Sequence, residues 1–278
     1  MIVINRKTGR RIAQMVAGVF LSSCLLYMPV FAGNIHAPES VSAEMTESRI
    51  GGGYSASGQL DGTGYTAKLY DATNGLPTSD ANCILGTSDG YVWIGGYSGI
   101  IRYDGLNFER LDSSDGLTSG RSIFEDSKGR VWVGTNDNGV ILIDNNIHTH
   151  YTYKDGLPSS SIRCFAEDTA GNIFIGTTAG LSYIDKNGSL RIIDDERINN
   201  EIVSTLSSTP SGYIYGVTKN GHVFMIESES VKYFYGSHDF GEETITTLYA
   251  DPVNEGYVYY GTADGKVCYG KFGDLLER

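Results

Sequence analysis

The chain has 278 residues, of which 36 are glycine, 4 are cysteine and 40% are hydrophobic. That is enough apolar side chain for one sizeable core and too little cysteine for a disulfide-built scaffold. A formal charge of −12 argues against nucleic acid or an anionic membrane surface as partner, because both reward basic patches.

In chain order, the first element is a targeting segment, residues 1–32. Arg6, Lys7, Arg10 and Arg11 form a basic start, Ile12 to Ala32 is mostly apolar, and Val30-Phe31-Ala32 before Gly33 fits a signal-peptidase site. The same stretch reads alternatively as an uncleaved anchor, or as a lipidation site at Cys24; each version exports the remainder of the chain. Residues 33–64, with Gly51-Gly52-Gly53, lack apolar periodicity and read as a flexible linker. No later segment is long and apolar enough to span a bilayer.

From residue 65 onward the chain repeats itself. Asn74-Gly75-Leu76-Pro77, Asp115-Gly116-Leu117-Thr118 and Asp155-Gly156-Leu157-Pro158 open successive units, with glycines 41 and then 40 residues apart. Each opening leads to a strand-like run, a glycine turn and an aromatic strand, such as Asp89-Gly90-Tyr91-Val92-Trp93-Ile94-Gly95. Weaker copies centre on Tyr215 and Tyr259. A second hairpin comes next in every unit, with a short outer strand such as Phe108–Leu111 or Tyr151–Tyr153 in the early ones. Short strands repeating near forty residues predict an all-β fold: a β-propeller of about five four-stranded blades, as a portion of a larger propeller. The blades fall near 65–112, 113–153, 154–195, 196–236 and 237–278. Trp93, Trp132, Phe174, Tyr215 and Tyr259 share one register and are expected to pack each blade against the next.

The wording of the third unit, Gly156-Leu157-Pro158-Ser159 through Arg163-Cys164-Phe165-Ala166-Glu167-Asp168 to Gly171-Asn172-Ile173-Phe174-Ile175-Gly176-Thr177, resembles the two-component regulator propeller repeat. The resemblance implies the extracytoplasmic sensor region of a bacterial membrane signalling protein, a hybrid histidine kinase or a diguanylate cyclase. It also implies that any kinase or cyclase output lies outside this chain, which is then not itself an enzyme. The alternative is a stand-alone exported propeller, acting as a glycan-binding or adhesion module or as a polysaccharide lyase.

Aligned on the turn glycine, Asn82, Arg121 and Arg163 share a register beside the small residues Cys83, Ser122 and Cys164. That stretch is expected to be the innermost strand, so polar side chains there face the central channel and suit a carboxylate or sugar. The competing reading has them satisfying backbone groups at strand ends. Exposed rings at Tyr97 and Tyr103 are further candidates for stacking on sugars. The expected partner is a small molecule or oligosaccharide, with a second copy of the chain as another candidate and no nucleic acid. Cys83 and Cys164 lie in blades that are not neighbours, and Cys268 in a different strand, so no disulfide and three small buried thiols are expected.

No cofactor or metal is expected. His148-Thr149-His150 lacks zinc spacing, and Asp185-Lys186-Asn187-Gly188 begins like a calcium loop without the later ligands. Asp194-Asp195-Glu196 reads as a solvated loop, and no phosphate-binding glycine loop is present.

Overall fold

The computed structural model describes the backbone of Ile2–Arg6 and Ile12–Val16, and residues 70–273 apart from 74, 79, 112–115, 146, 237–238 and 240–243. The first unit contributes one hairpin, in which β1 (Ile2–Arg6) pairs antiparallel with β2 (Ile12–Val16). The expected cleavage point at Ala32, Cys24 and the 33–64 linker lie outside the described residues.

The second unit carries five antiparallel sheets. Blade one is β3 (Ala81–Gly86), β4 (Val92–Gly96), β5 (Gly99–Tyr103) and β6 (Phe108–Arg110). Blade two is β7 (Gly120–Glu125), β8 (Val131–Thr135), β9 (Val140–Asp144) and β10 (Ile147–Tyr151). Blade three is β11 (Ile162–Glu167), β12 (Ile173–Thr177), β13 (Gly180–Ile184) and β14 (Leu190–Ile193). Blade four is β15 (Val203–Ser208), β16 (Ile214–Thr218), β17 (Val223–Glu227) and β18 (Ser230–Tyr235). Blade five is β19 (Ile245–Ala250), β20 (Tyr257–Thr262) and β21 (Val267–Lys271). Strands run from inside to outside in chain order, and neighbouring blades meet along β3–β7, β7–β11, β11–β15 and β15–β19.

This is the propeller architecture expected from the repeat; the fifth blade shows three strands among the described residues, which end at residue 273. One strand limit is corrected. The outer strand of blade two covers Ile147–Tyr151 rather than residues 151–153, where a 3₁₀ turn at Tyr153–Asp155 is capped by Thr152 instead.

Among the described residues, four hydrophobic clusters fill the seams between successive blades, built by strict alternation. β8 and β9 send Val131, Val133, Ile141 and Ile143 back against Leu85, Trp93 and Ile100 of blade one, and Trp132, Val140 and Leu142 forward against Phe165, Ile173 and Ile175. The two central strands of a blade are therefore apolar on both faces, as sheets covered on both sides require. The repeated Gly-Leu opening has a physical reason too. Leu117, Leu157 and, in the fourth unit, Ile198 are buried plugs at successive seams.

The glycine ending each aromatic strand marks a close approach. A Cβ on Gly134 would sit 2.4 Å from Ser122 Oγ and 2.6 Å from Ile162 of the next blade. At Gly95 and Gly176 it would strike the thiols of Cys83 and Cys164. The small residue of the inner strand and the glycine opposite it are thus one packing unit. Cys83, Cys164 and Cys268 form no disulfide among the described residues and are half-buried rather than fully buried. Burial pushes the Cys164 thiol well above its ordinary pKa, which leaves it unreactive.

Candidate functional site

All five inner strands carry the same irregularity. Pairing slips by one residue between Ala81 and Cys83, Gly120 and Ser122, Ile162 and Cys164, Val203 and Thr205, and Ile245 and Thr247. The skipped residues are Asn82, Arg121, Arg163, Ser204 and Thr246. Each is the extra residue of a β-bulge, which leaves the ladder and re-aims its side chain. Three of these five are the positions singled out by the turn-glycine alignment; Ser204 and Thr246 complete the register. Their polar chemistry varies while the backbone feature stays constant.

The structure separates the three predicted residues by role. Asn82 Nδ2 donates to Gly120 O at 3.1 Å, tying blade one to the bulge of blade two. That is the backbone-satisfying role set against ligand binding above. Arg163 Nη1 donates to Asn136 Oδ1 at 3.1 Å and Ile162 O at 3.3 Å, which fixes the head of a half-buried side chain. Burial and then the positive charge of Arg121 lower the Arg163 pKa, which places the two guanidinium groups within electrostatic reach. Arg121 is half-buried and makes no hydrogen bond or ion pair with the described residues.

Turns between the second and third strands flank these bulges. Asn136, Thr178 and Lys219 each donate a backbone N–H to the carbonyl of Ser119, Ser161 or Ile202, two residues before the corresponding bulge residue. Tyr97 holds the matching place in blade one, and its ring is exposed, free to stack on a planar or saccharide face. Tyr103 is not: it is buried, stacked on Phe108 with centroids 4.4 Å apart, and its hydroxyl donates to Gly105 O. Tyr97 lies in the turn between β4 and β5, whereas Tyr103 is the last residue of β5.

The other sequence candidates resolve into structure. His150 lies on the outermost strand of blade two and contacts Asn138 O. Asp185 closes its own turn by accepting from Asn187 N and Ser189 N. Asp195 pairs with Arg197 at 2.6 Å, and Asp194 accepts from Asn199. Among the described residues no group of three His, Cys, Asp or Glu side chains is placed to hold a metal.

Sequence reasoning missed a repeated clasp at the opposite end of the inner strands. Ser88 donates its N–H and hydroxyl to Glu125 of the next blade at 2.8 and 2.6 Å, and Ser127 does the same to Glu167 at 2.7 Å each. The adjacent Asp126 takes Lys128 N, Arg130 N and Nε and the buried Trp132 Nε1. The recurring Glu-Asp pair at 125–126 and 167–168 was the available signal.

The model of the two component regulator propeller matches residues 75–98, 116–137 and 156–179. No curated protein sequence matches the chain. Among solved structures, the extracellular domain of a protein described as the hybrid two component system BT3049 from B. thetaiotaomicron is similar at TM-score 0.59 and 19% identity. The alignment covers 75% of this chain and 30% of that one. The corresponding domain of BT4673 from the same organism aligns at 0.61 and 18%, over 73% and 30%. Virginiamycin B lyase from Staphylococcus aureus aligns at 0.52 and 15%, over 69% and 70%. The chain thus spans under a third of the two-component domains it resembles, and what these likenesses share is the propeller fold. Within blades one to three, residues 75–98, 116–137 and 156–179 match the two component regulator propeller repeat.

Proposed function

We propose that the chain is the extracytoplasmic, ligand-sensing propeller region of a bacterial transmembrane signalling protein, without catalytic activity of its own. The carrying observation is the ring of bulges: one backbone device in five blades sets Asn82, Arg121, Arg163, Ser204 and Thr246 in one register, and of these Arg121 and Ser204 make no hydrogen bond with the described residues. Constant scaffold with variable polar contacts is the arrangement recognition uses. The repeat match and the extracellular two-component domains among similar structures support the sensor setting, and the basic, apolar amino end supports export. The ligand is a small molecule or oligosaccharide bound at this ring, with Tyr97 as a stacking platform beside it.

The lyase alternative needs a base beside the cations. His150 sits on the outer strand of blade two while Arg121 sits on the inner one, so the blade separates them. His222 packs edge-on to Phe234. Screening the full chain on an oligosaccharide array tests the sensor reading. Binding that disappears in Arg121→Ala and Tyr97→Ala, with the saccharide recovered intact, supports it; cleavage of the bound saccharide sinks it.

A further inference from the structure

We propose that the seat between Arg121 and Arg163 selects an anion, a carboxylate- or sulfate-bearing group, rather than a neutral ligand. The proposal rests on the ligand-sensing reading and adds the charge of what is sensed. Two guanidinium groups extend from bulges on adjoining inner strands, both half-buried. Arg102, Arg130, Arg191 and Arg197 each have a carboxylate partner, Glu109, Asp126, Asp185 and Asp195 respectively. Arg121 and Arg163 have none among the described residues, in a chain carrying 33 acidic against 21 basic residues.

An unneutralised like-charge pair, partly removed from water, is unfavourable unless something negative sits against it. The donor inventory is matched to such a guest. Arg163 uses only Nη1 on Asn136 and Ile162, leaving the rest of its fork, and Arg121 keeps all five N–H groups. Because Asn136 accepts through its Oδ1, its amide NH₂ remains a further donor at the same rim. Oxygen pairs of a carboxylate or sulfate fit these planar forks, and a cation is repelled.

The test is titration calorimetry on the full chain with three probes: sodium sulfate, trigalacturonate as a carboxylate source, and the neutral trisaccharide galactotriose. Sulfate or trigalacturonate is expected to bind, weakening at least tenfold in Arg121→Gln and in Arg163→Gln and weakening further as sodium chloride rises. Which of the two anions binds more tightly identifies the source. Arg121→Gln breaks no hydrogen bond, so an unchanged melting curve without ligand separates loss of binding from loss of fold. Galactotriose binding that is lost in Arg121→Gln, with neither anion bound, overturns the charge selection and leaves the sensor reading standing. Anion binding that is equal in wild type and variants overturns the seat. If none of the three probes binds, the charge selection fails, and the oligosaccharide array decides the sensor reading separately.

Discussion

Single residues in equivalent places behave differently according to one neighbour. Trp132 and Trp93 share a register and are both buried, yet only Trp132 donates its indole N–H, to Asp126 at 2.8 Å. In blade one the place of Asp126 is taken by Thr87, whose hydroxyl goes to Asp89, and Trp93 Nε1 is left buried without a partner. Trp132→Phe is therefore expected to cost about 1–3 kcal/mol more than Trp93→Phe in chemical denaturation, the worth of a hydrogen bond to a charged group. Asp251 shows the same logic in its titration. Burial works to raise its pKa, but hydrogen bonds from Tyr269, Asn254 and the backbone of Asn254 and Val253 outweigh it and hold the carboxyl at about 2. Its folded pKa is depressed below the ordinary 3.8, so its contribution is complete above that value and is lost as pH falls towards 2. Melting between pH 6 and 2 should fall more steeply in wild type than in Asp251→Asn, by up to about 2 kcal/mol. None of these partners could be read from the sequence, because each depends on which side chain the turn delivers to the ring.

At the scale of strands and turns, most of the architecture was legible. The glycine period, the alternation around Trp93 and Trp132 and the hairpin signals located blades, seams and the shared register of Arg121 and Arg163, but not the bulges that sit there. Legibility ended where periodicity ends. The outer strands are exposed on most positions, as in β10, so no buried face disciplines their pattern, and the limits of the blade-two strand were misplaced. The clasp from Ser88 to Glu125 joins residues 37 apart and leaves no local trace beyond a repeated dipeptide. The inner glycines were visible but their reason was not, since it lies in the neighbouring blade. Gly134→Ala should lower stability by about 1–3 kcal/mol through overpacking of the seam. Gly270→Ala, where nothing lies within 4 Å, should be neutral or slightly stabilising, and thermal melts of the two variants distinguish the cases.

Across the five blades as a whole, the aromatic register divides by exposure. Trp93, Trp132, Phe174 and Tyr215 are at most 4% exposed, whereas Tyr259 in the same register is 44% exposed. The expectation that all five rings pack against a further blade fails at the fifth, because no described residue covers that face. Tyr257 and Tyr269 stack there with Lys271 over the Tyr257 ring, and Val267 stands open beside them. Tetranitromethane should nitrate Tyr259 well before Tyr215, read by peptide mass spectrometry. A protected Tyr259 would show that another surface occupies the face in solution. The bulges carry a different consequence. Arg121 and Ser204 are skipped by the ladder and make no hydrogen bond with the described residues, so they can be exchanged with little effect on folding. Evolution, or an engineer with a two-site library, is then free to rewrite these letters one at a time, while the alphabet of strands that displays them stays untouched.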